Sequence, residues 1–187
     1  KETGQWLIAG MGELHLEIKE HRLMSDFRLG VRVGQPRVAY REALLERAQG
    51  SGRVDRALGG THLFGAVDLA LEPLDSSAGL ASVRVEWDPT CAVPPDFRPG
   101  VAEALELEAQ LGPRFGFPLG GMLVRVEGGE SRPSLDAEPG FIQAASQALR
   151  SALARAEVAL LEPRMAFEIS APAEAMSAII GDLNAKK

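Results

Sequence analysis

The chain reads as an α+β protein: a central sheet covered by helices on one face, with a shorter mixed segment on either side. Val83, Val85 and Trp87 alternate with Ser82, Arg84, Glu86 and Asp88, the pattern of a half-buried strand. Ile142, Ala145, Leu149, Ala152 and Ala156 recur at spacings of three and four, the core stripe of an amphipathic helix. Several strand-like stretches accompany two helical ones in the middle of the chain, which predicts a layer of sheet under a layer of helix.

Taken in order, residues 5–34 read as strand, helix, strand, about half of a ferredoxin-like domain. Trp6-Leu7-Ile8-Ala9 is an apolar strand. After Gly12, Leu14, Ile18, His21 and Ser25 trace one helical face, and Leu16, Leu23 and Phe27 a second line. Glu13 and Glu17 lie in the first two turns, where the helix dipole favours acids. Leu29, Val31 and Val33 then alternate with Arg28, Gly30 and Arg32 as a strand, which Gly34-Gln35-Pro36 breaks.

The next region opens with a strand at residues 37–41. Gly50-Ser51-Gly52 reads as a turn, with a returning strand over 53–58. Gly59-Gly60 is a second turn, before a strand whose Leu63, Gly65, Val67, Leu69 and Leu71 share a face. Residues 75–79 are a loop, and 83–87 the strand already described. Pro99 opens a helix carrying Val101, Ala104, Leu105 and Leu111, which Gly112-Pro113 stops. Met122, Val124 and Val126 form another strand, Gly128-Gly129 begins a polar loop, and Asp136, Glu138 and Pro139 start the second helix. From Pro163 a strand (Met165, Phe167, Ile169) and a helix (Met176, Ile179, Ile180, Leu183) follow, with Pro172 suited to the helix's first turn. This strand and helix have no partner strands of their own, so they read as the front of a further domain.

Composition narrows the function. A formal charge of −6 argues against a general nucleic-acid binder, because phosphate binding rests on clustered Lys and Arg. With 5% aromatic residues, a base-stacking platform is not expected. No apolar run approaches the ~20 residues that span a bilayer. The one cysteine, Cys91, rules out an internal disulfide and suits a reducing cytoplasm. The chain begins with Lys1 and runs out within a helical pattern, so a piece of a larger protein is expected.

Hidden chemistry finds little support. His15 and His21 fall about 240° apart on a helix and do not converge on one ion. His62 has no Cys pair beside it, and Cys91 lies in no activating motif. There is no G-x-x-x-x-G-K-[ST] phosphate loop, and neither Gly59-Gly60 nor Gly128-Gly129 precedes the Lys of a phosphate cradle. Glu103, Glu106 and Glu108 look like a solvated helix face. No catalytic residue and no metal ligand is assigned.

The ordered set Gly10-Met11-Gly12-Glu13-Leu14-His15-Leu16-Glu17, then Gly34-Gln35-Pro36 with Ala39-Tyr40-Arg41-Glu42, then Leu160-Leu161-Glu162-Pro163-Arg164-Met165 and Ile179-Ile180-Gly181-Asp182-Leu183-Asn184 closely resembles elongation factor G. The resemblance implies the end of that family's third domain at 1–35, its fourth domain at 36–161, and the start of its fifth at 162–187. It implies a ribosomal-protein-like central domain with a left-handed β-α-β crossover, flanked by two partial ferredoxin-like pieces. It also implies a cytoplasmic, ribosome-engaging fragment, whose parent uses GTP and magnesium while the fragment holds no cofactor.

Expected partners are the ribosome's decoding-centre rRNA, tRNA and mRNA, with no membrane, and self-association through the exposed partial domains. Two tip loops would make the contacts: Cys91, Val93, Pro94, Pro95 and Asp96 in one, and Gly129, Glu130, Ser131, Arg132, Pro133 and Ser134 in the other. The first keeps Pro94 and Pro99 of the family's pattern. The second departs from it, with Arg132 in place of the family's tip histidine and Pro133 in place of the following aspartate. Gly60-Thr61-His62-Leu63-Phe64-Gly65 likewise alters the family's Gly-Gln-Tyr-Gly-His strand motif.

Arg132 is expected either to meet phosphate or to lie solvated among Glu127, Glu130 and Asp136. Besides translocation, ribosome recycling or ribosomal protection by a diverged paralogue stays open, as do a small-molecule kinase-like enzyme and a purely structural interaction domain. Leu14, Ile18, Met165, Phe167, Met176 and Ile180 are expected to be covered by one another, by the central domain or by a second copy.

Overall fold

The computed structural model describes residues 4–58, 60–74, 83–164 and 168–185. Helix α1 spans Glu13–Ser25. Strands β1 (Arg41–Leu44), β2 (Ala48–Leu58), β3 (Thr61–Pro73) and β4 (Val83–Trp87) follow. Then come α2 (Arg98–Glu108), β5 (Met122–Glu130), α3 (Glu138–Leu153), β6 (Val158–Leu161) and α4 (Ala173–Ala185). Four strands form one sheet in the order β2-β3-β5-β4, antiparallel except for the parallel β4–β5 pair that α2 connects. A second sheet is the antiparallel pair β1–β6. The α+β class is as expected.

One face of the larger sheet carries the core. Val67, Leu69 and Leu71 of β3 and Val124 and Val126 of β5 meet Val101 and Leu105 of α2 and Phe141, Ala145 and Leu149 of α3. The strands expected from alternation at 63–71, 83–87 and 122–126 all form. Alternation in a strand and a three-four repeat in a helix each place one stripe toward the same interior.

Two glycine signals carry a different meaning from the expected one. Gly50 and Gly52 lie inside β2, not in a turn. A Cβ on Gly52 would come within 1.9 Å of the Ala144 carbonyl oxygen, and one on Gly50 within 2.2 Å of that of Ala148. The glycines are there because α3 lies directly on the strand, with alanines as its contact stripe. Gly128 and Gly129 lie inside β5 rather than in a loop. Gly129 has φ 136°, and a Cβ there would meet the Ala66 carbonyl oxygen at 2.1 Å, beside a register shift at Asp68/Leu69. This is a β-bulge. Gly60, with φ 87°, does turn the β2–β3 hairpin as expected.

The flanks differ from expectation. Residues 6–9, 29–33 and 168–170 are not strands, and the strand expected at 37–41 begins only at Arg41. A strand's amides and carbonyls need a neighbouring ladder, and among the described residues these segments have none. Gln5 does tie the ends of the first flank: its side-chain amide donates to the Gln35 carbonyl (3.4 Å) and its oxygen accepts from the Arg37 amide (2.7 Å). Helices α1 and α4 form but bury no residue. Leu14, Ile18, Met176 and Ile180 are 70, 50, 43 and 52% exposed, so of the three expected covers neither the flanks nor the central domain supplies one within the chain, which leaves the second copy. Met165 and Phe167, and the loop at 75–79, lie outside the described residues.

At the base, β1 and β6 pair Arg41 with Leu161 and Leu44 with Val158, so the chain enters and leaves the central domain side by side. Glu42 of β1 is fully buried. Its carboxylate accepts from the amides of Arg114 (3.1 Å), Phe115 (2.9 Å) and Phe117 (3.1 Å). The three donors satisfy a charge that would otherwise be costly to bury. A Cβ at Gly112 would lie 2.2 Å from that carboxylate. The loop held in this way packs Phe117 against Tyr40, the rings tilted and their centroids 5.2 Å apart.

Candidate functional site

Strand register decides which loops share an end. Trp87 of β4 lies beside Val126 of β5, and β5 continues to Glu130 opposite Ala66 of β3. The segments after β4 and β5 and the Gly60 hairpin between β2 and β3 therefore leave the sheet at one end. The β1–β6 base joins at the other, where Glu42 bridges to Leu119 just before β5. The nine residues of β5, at ~3.3 Å each, set tip and base roughly 26 Å apart.

The first loop, residues 88–97, is built from beneath. Asp88 accepts hydrogen bonds from the Thr90 amide (2.8 Å) and hydroxyl (2.5 Å), the hydroxyl first and the amide second in holding its carboxyl below the usual aspartate range. Cys91 and Val93 are buried in the core cluster beneath the loop. Arg98 spans the underside: its guanidinium donates to the Val93 carbonyl (3.3 Å) and to Cys91 Sγ (3.4 Å), 5.3 Å from the Trp87 ring centroid. Pro94 is half-buried, while Pro95 and Asp96 are exposed in a 3-10 turn.

The second loop follows β5. Gly129, Pro133 and Ser134 are exposed, and Glu130, Ser131 and Arg132 half-buried. Asp136 closes the loop on itself, accepting from the Ser131 hydroxyl (2.5 Å) and the Arg132 amide (2.7 Å). The Phe64 amide donates to Leu135, which fastens the loop to the start of β3. Phe97 and Phe141, at the heads of α2 and α3, pack with their rings tilted and centroids 5.8 Å apart, joining the two loops from below.

Arg132 is neither free nor beside Glu127. Its Nε donates to Glu130 (2.7 Å), one η nitrogen to Asp55 of β2 (3.2 Å), and its guanidinium carbon stands 4.3 Å from the Phe64 ring centroid. Arg53 completes the ring, donating to Glu130 (2.6 Å) and Asp55 (3.4 Å) and lying 5.2 Å from the same centroid. His62 Nε2 is hydrogen-bonded to Asp55 at 2.8 Å. The His62 and then the Arg53 hydrogen bonds, with the charge of Arg132, hold the Asp55 carboxyl below its ordinary value. Arg53 and then Arg132 do the same for Glu130, and Glu130 in turn holds Arg53 more firmly charged. The tip end is thus a balanced ionic network rather than a basic patch.

The sequence reading missed Asp55, Arg53 and Phe64 as parts of this site. One signal was available: Arg53 and Asp55 alternate around Val54, which places both charges on the sheet face away from the helices. Among the described residues no cluster of His, Cys, Asp and Glu could hold a metal ion, and no helix is long and apolar enough to cross a membrane.

A family model described as elongation factor G, domain IV, matches residues 36–157, and one described as elongation factor G, domain III, matches residues 1–35. The chain is 38% identical to an elongation factor G of Thermotoga maritima and 37% identical to an elongation factor G 2 of Desulfotalea psychrophila. Each match covers the whole of this chain and 27% of the relative, so the chain spans about a quarter of those proteins' length. A crystal structure of a Thermus thermophilus protein superposes with a TM-score of 0.81 at 30% identity, over 99% of this chain and 27% of that one.

Proposed function

The chain belongs to the elongation factor G family, and from that membership we propose that it is a ribosome-engaging part of a translation elongation factor acting in tRNA–mRNA translocation. The observation that carries the reading is the domain IV match at residues 36–157, which falls on the unit whose two loops stand together at the end remote from the base. We propose residues 1–35 as the end of the third domain, 36–161 as the fourth, and 162–187 as the start of the fifth. The surface meeting decoding-centre rRNA, tRNA and mRNA is formed by Pro94, Pro95, Asp96, Gly129, Pro133 and Ser134, with Glu130, Ser131 and Arg132 behind them. Cys91 and Val93 support it from within. The complete protein is proposed to work in the cytoplasm as a ribosome-dependent GTPase using magnesium, from a nucleotide domain outside this chain.

A second reading, a diverged paralogue acting in ribosome recycling or protection, is favoured by Arg132 and Pro133, since an arginine tied into ion pairs is not the family's tip histidine. One experiment addresses both. Removing residues 132–135 from the complete protein is expected to slow single-round translocation about tenfold or more, equivalent to ~1.4 kcal/mol of barrier, with GTP hydrolysis on the ribosome retained. Unchanged translocation with slowed subunit splitting supports the second reading, and no effect on either sinks both. Calorimetry on this chain alone should show no GTP binding, because it has no phosphate loop.

A further inference from the structure

Arg132 has the chemistry of a phosphate contact, yet its guanidinium, 38% exposed at the side chain, is already engaged by partners within the tip. It reaches Glu130 of β5, Asp55 of β2 and the face of Phe64 of β3, while its own amide is held by Asp136. Its carbonyl accepts from the amides of Leu135 (2.7 Å) and Asp136 (2.9 Å). One residue therefore touches three strands and both ends of the second tip loop. Asp55 is itself held by Arg53 and His62, so the anchor it offers Arg132 is fixed.

We propose that Arg132 is a positioning residue: it pins the second tip loop onto the β2–β3 hairpin, so that Pro133 and Ser134 are presented outward as a preformed edge. The arrangement favours this over a phosphate contact. Two carboxylates already sit against the guanidinium, so an approaching anion meets their negative charge as well, whereas the pin uses the contacts as they stand. Pro133 directly after the pin, with its fixed φ, reduces the freedom that the loop would lose on docking.

This inference deepens the ribosome-engaging reading, and one pair of substitutions separates their failures. Arg132→Ala removes the cation, while Asp55→Asn leaves the cation and removes its anchor. If Arg132 pins the loop, both variants speed amide hydrogen exchange at residues 131–137 at least about fivefold, equivalent to ~1 kcal/mol of local stability. Both also weaken ribosome binding by the complete protein, while exchange at Val124 in the core stays unchanged. If Arg132 instead contacts phosphate, Asp55→Asn frees it and strengthens ribosome binding. Unchanged loop exchange in either variant, or unchanged or tighter ribosome binding by Asp55→Asn, overturns the inference. Wild-type protein that does not bind ribosomes overturns the functional reading instead, and the exchange result on this chain still decides the pin.

Discussion

Glu42 carries a negative charge into the interior, and three backbone amides of the 114–117 segment meet it there. Removing such a group leaves three partly buried amides without their acceptor, so Glu42→Ala should lower unfolding free energy by about 1–3 kcal/mol. Glu42→Gln keeps one acceptor oxygen and should cost about half as much. Urea unfolding of the two variants measures the difference, and equal losses would show that the charge rather than the acceptor geometry matters. At the tip, Asp55 and Glu130 have carboxyls held below their ordinary values of 3.8 and 4.5. A depressed folded-state value stabilises the fold above the ordinary value, and that contribution disappears as pH falls from about 4.5 through the lowered values. Glu130→Gln should therefore flatten the decline in thermal midpoint below that pH. An identical pH profile for wild type and variant would contradict the role given to the network. His62 and Asp55 lie on the two arms of one hairpin, but Arg132 is 77 residues from Asp55, so no local pattern in the sequence could bring it to them.

Elements were legible where their signal is periodic. The 83–87 alternation and the α3 stripe report burial directly, since one face of each meets a common interior. Glycine was legible only where a turn explained it. Gly60 reverses the chain, but Gly50 and Gly52 make room for a helix some ninety residues further along, a demand that leaves no mark nearby. Gly52→Ala should push α3 off β2 and cost about 3 kcal/mol, because its Cβ would stand 1.9 Å from a carbonyl oxygen. Gly30→Ala, in open space on the first flank, should change stability by no more than ~0.5 kcal/mol. Thermal unfolding of both separates a glycine required by packing from one that is not. The strands expected at 6–9 and 29–33 did not form for the complementary reason: the apolar pattern is present, but among the described residues no neighbouring strand pairs with it.

On the scale of the whole molecule, stability resides in residues 36–161. Among the described residues, none of the core-cluster side chains comes from either flank. A protein cut to those residues should melt within a few degrees of the full chain, as read by calorimetry. A loss of ten degrees or more would mean that the flanks stabilise the core in a way their exposure does not suggest. The exposed apolar side chains of the flanks include Trp6, Leu7, Ile8, Leu14 and Ile180, apolar surface that contact between copies would cover. Sedimentation should therefore show self-association of the full chain at concentrations where residues 36–161 remain monomeric.

The side-by-side attachment at the base also has a mechanical meaning. Arg41 and Leu161 face each other across the β1–β6 pair, at the end where both flanks leave. Tension drawn through the flanks would open this pair like a zipper, loading its hydrogen bonds one at a time because they run across the strands. The longer β2–β3–β5 ladders carry neither attachment point and would feel little of that pull. Compliance is thus concentrated in four residue pairs at the foot of the domain, and a load between its neighbours could tilt the rigid head without deforming the surface it presents.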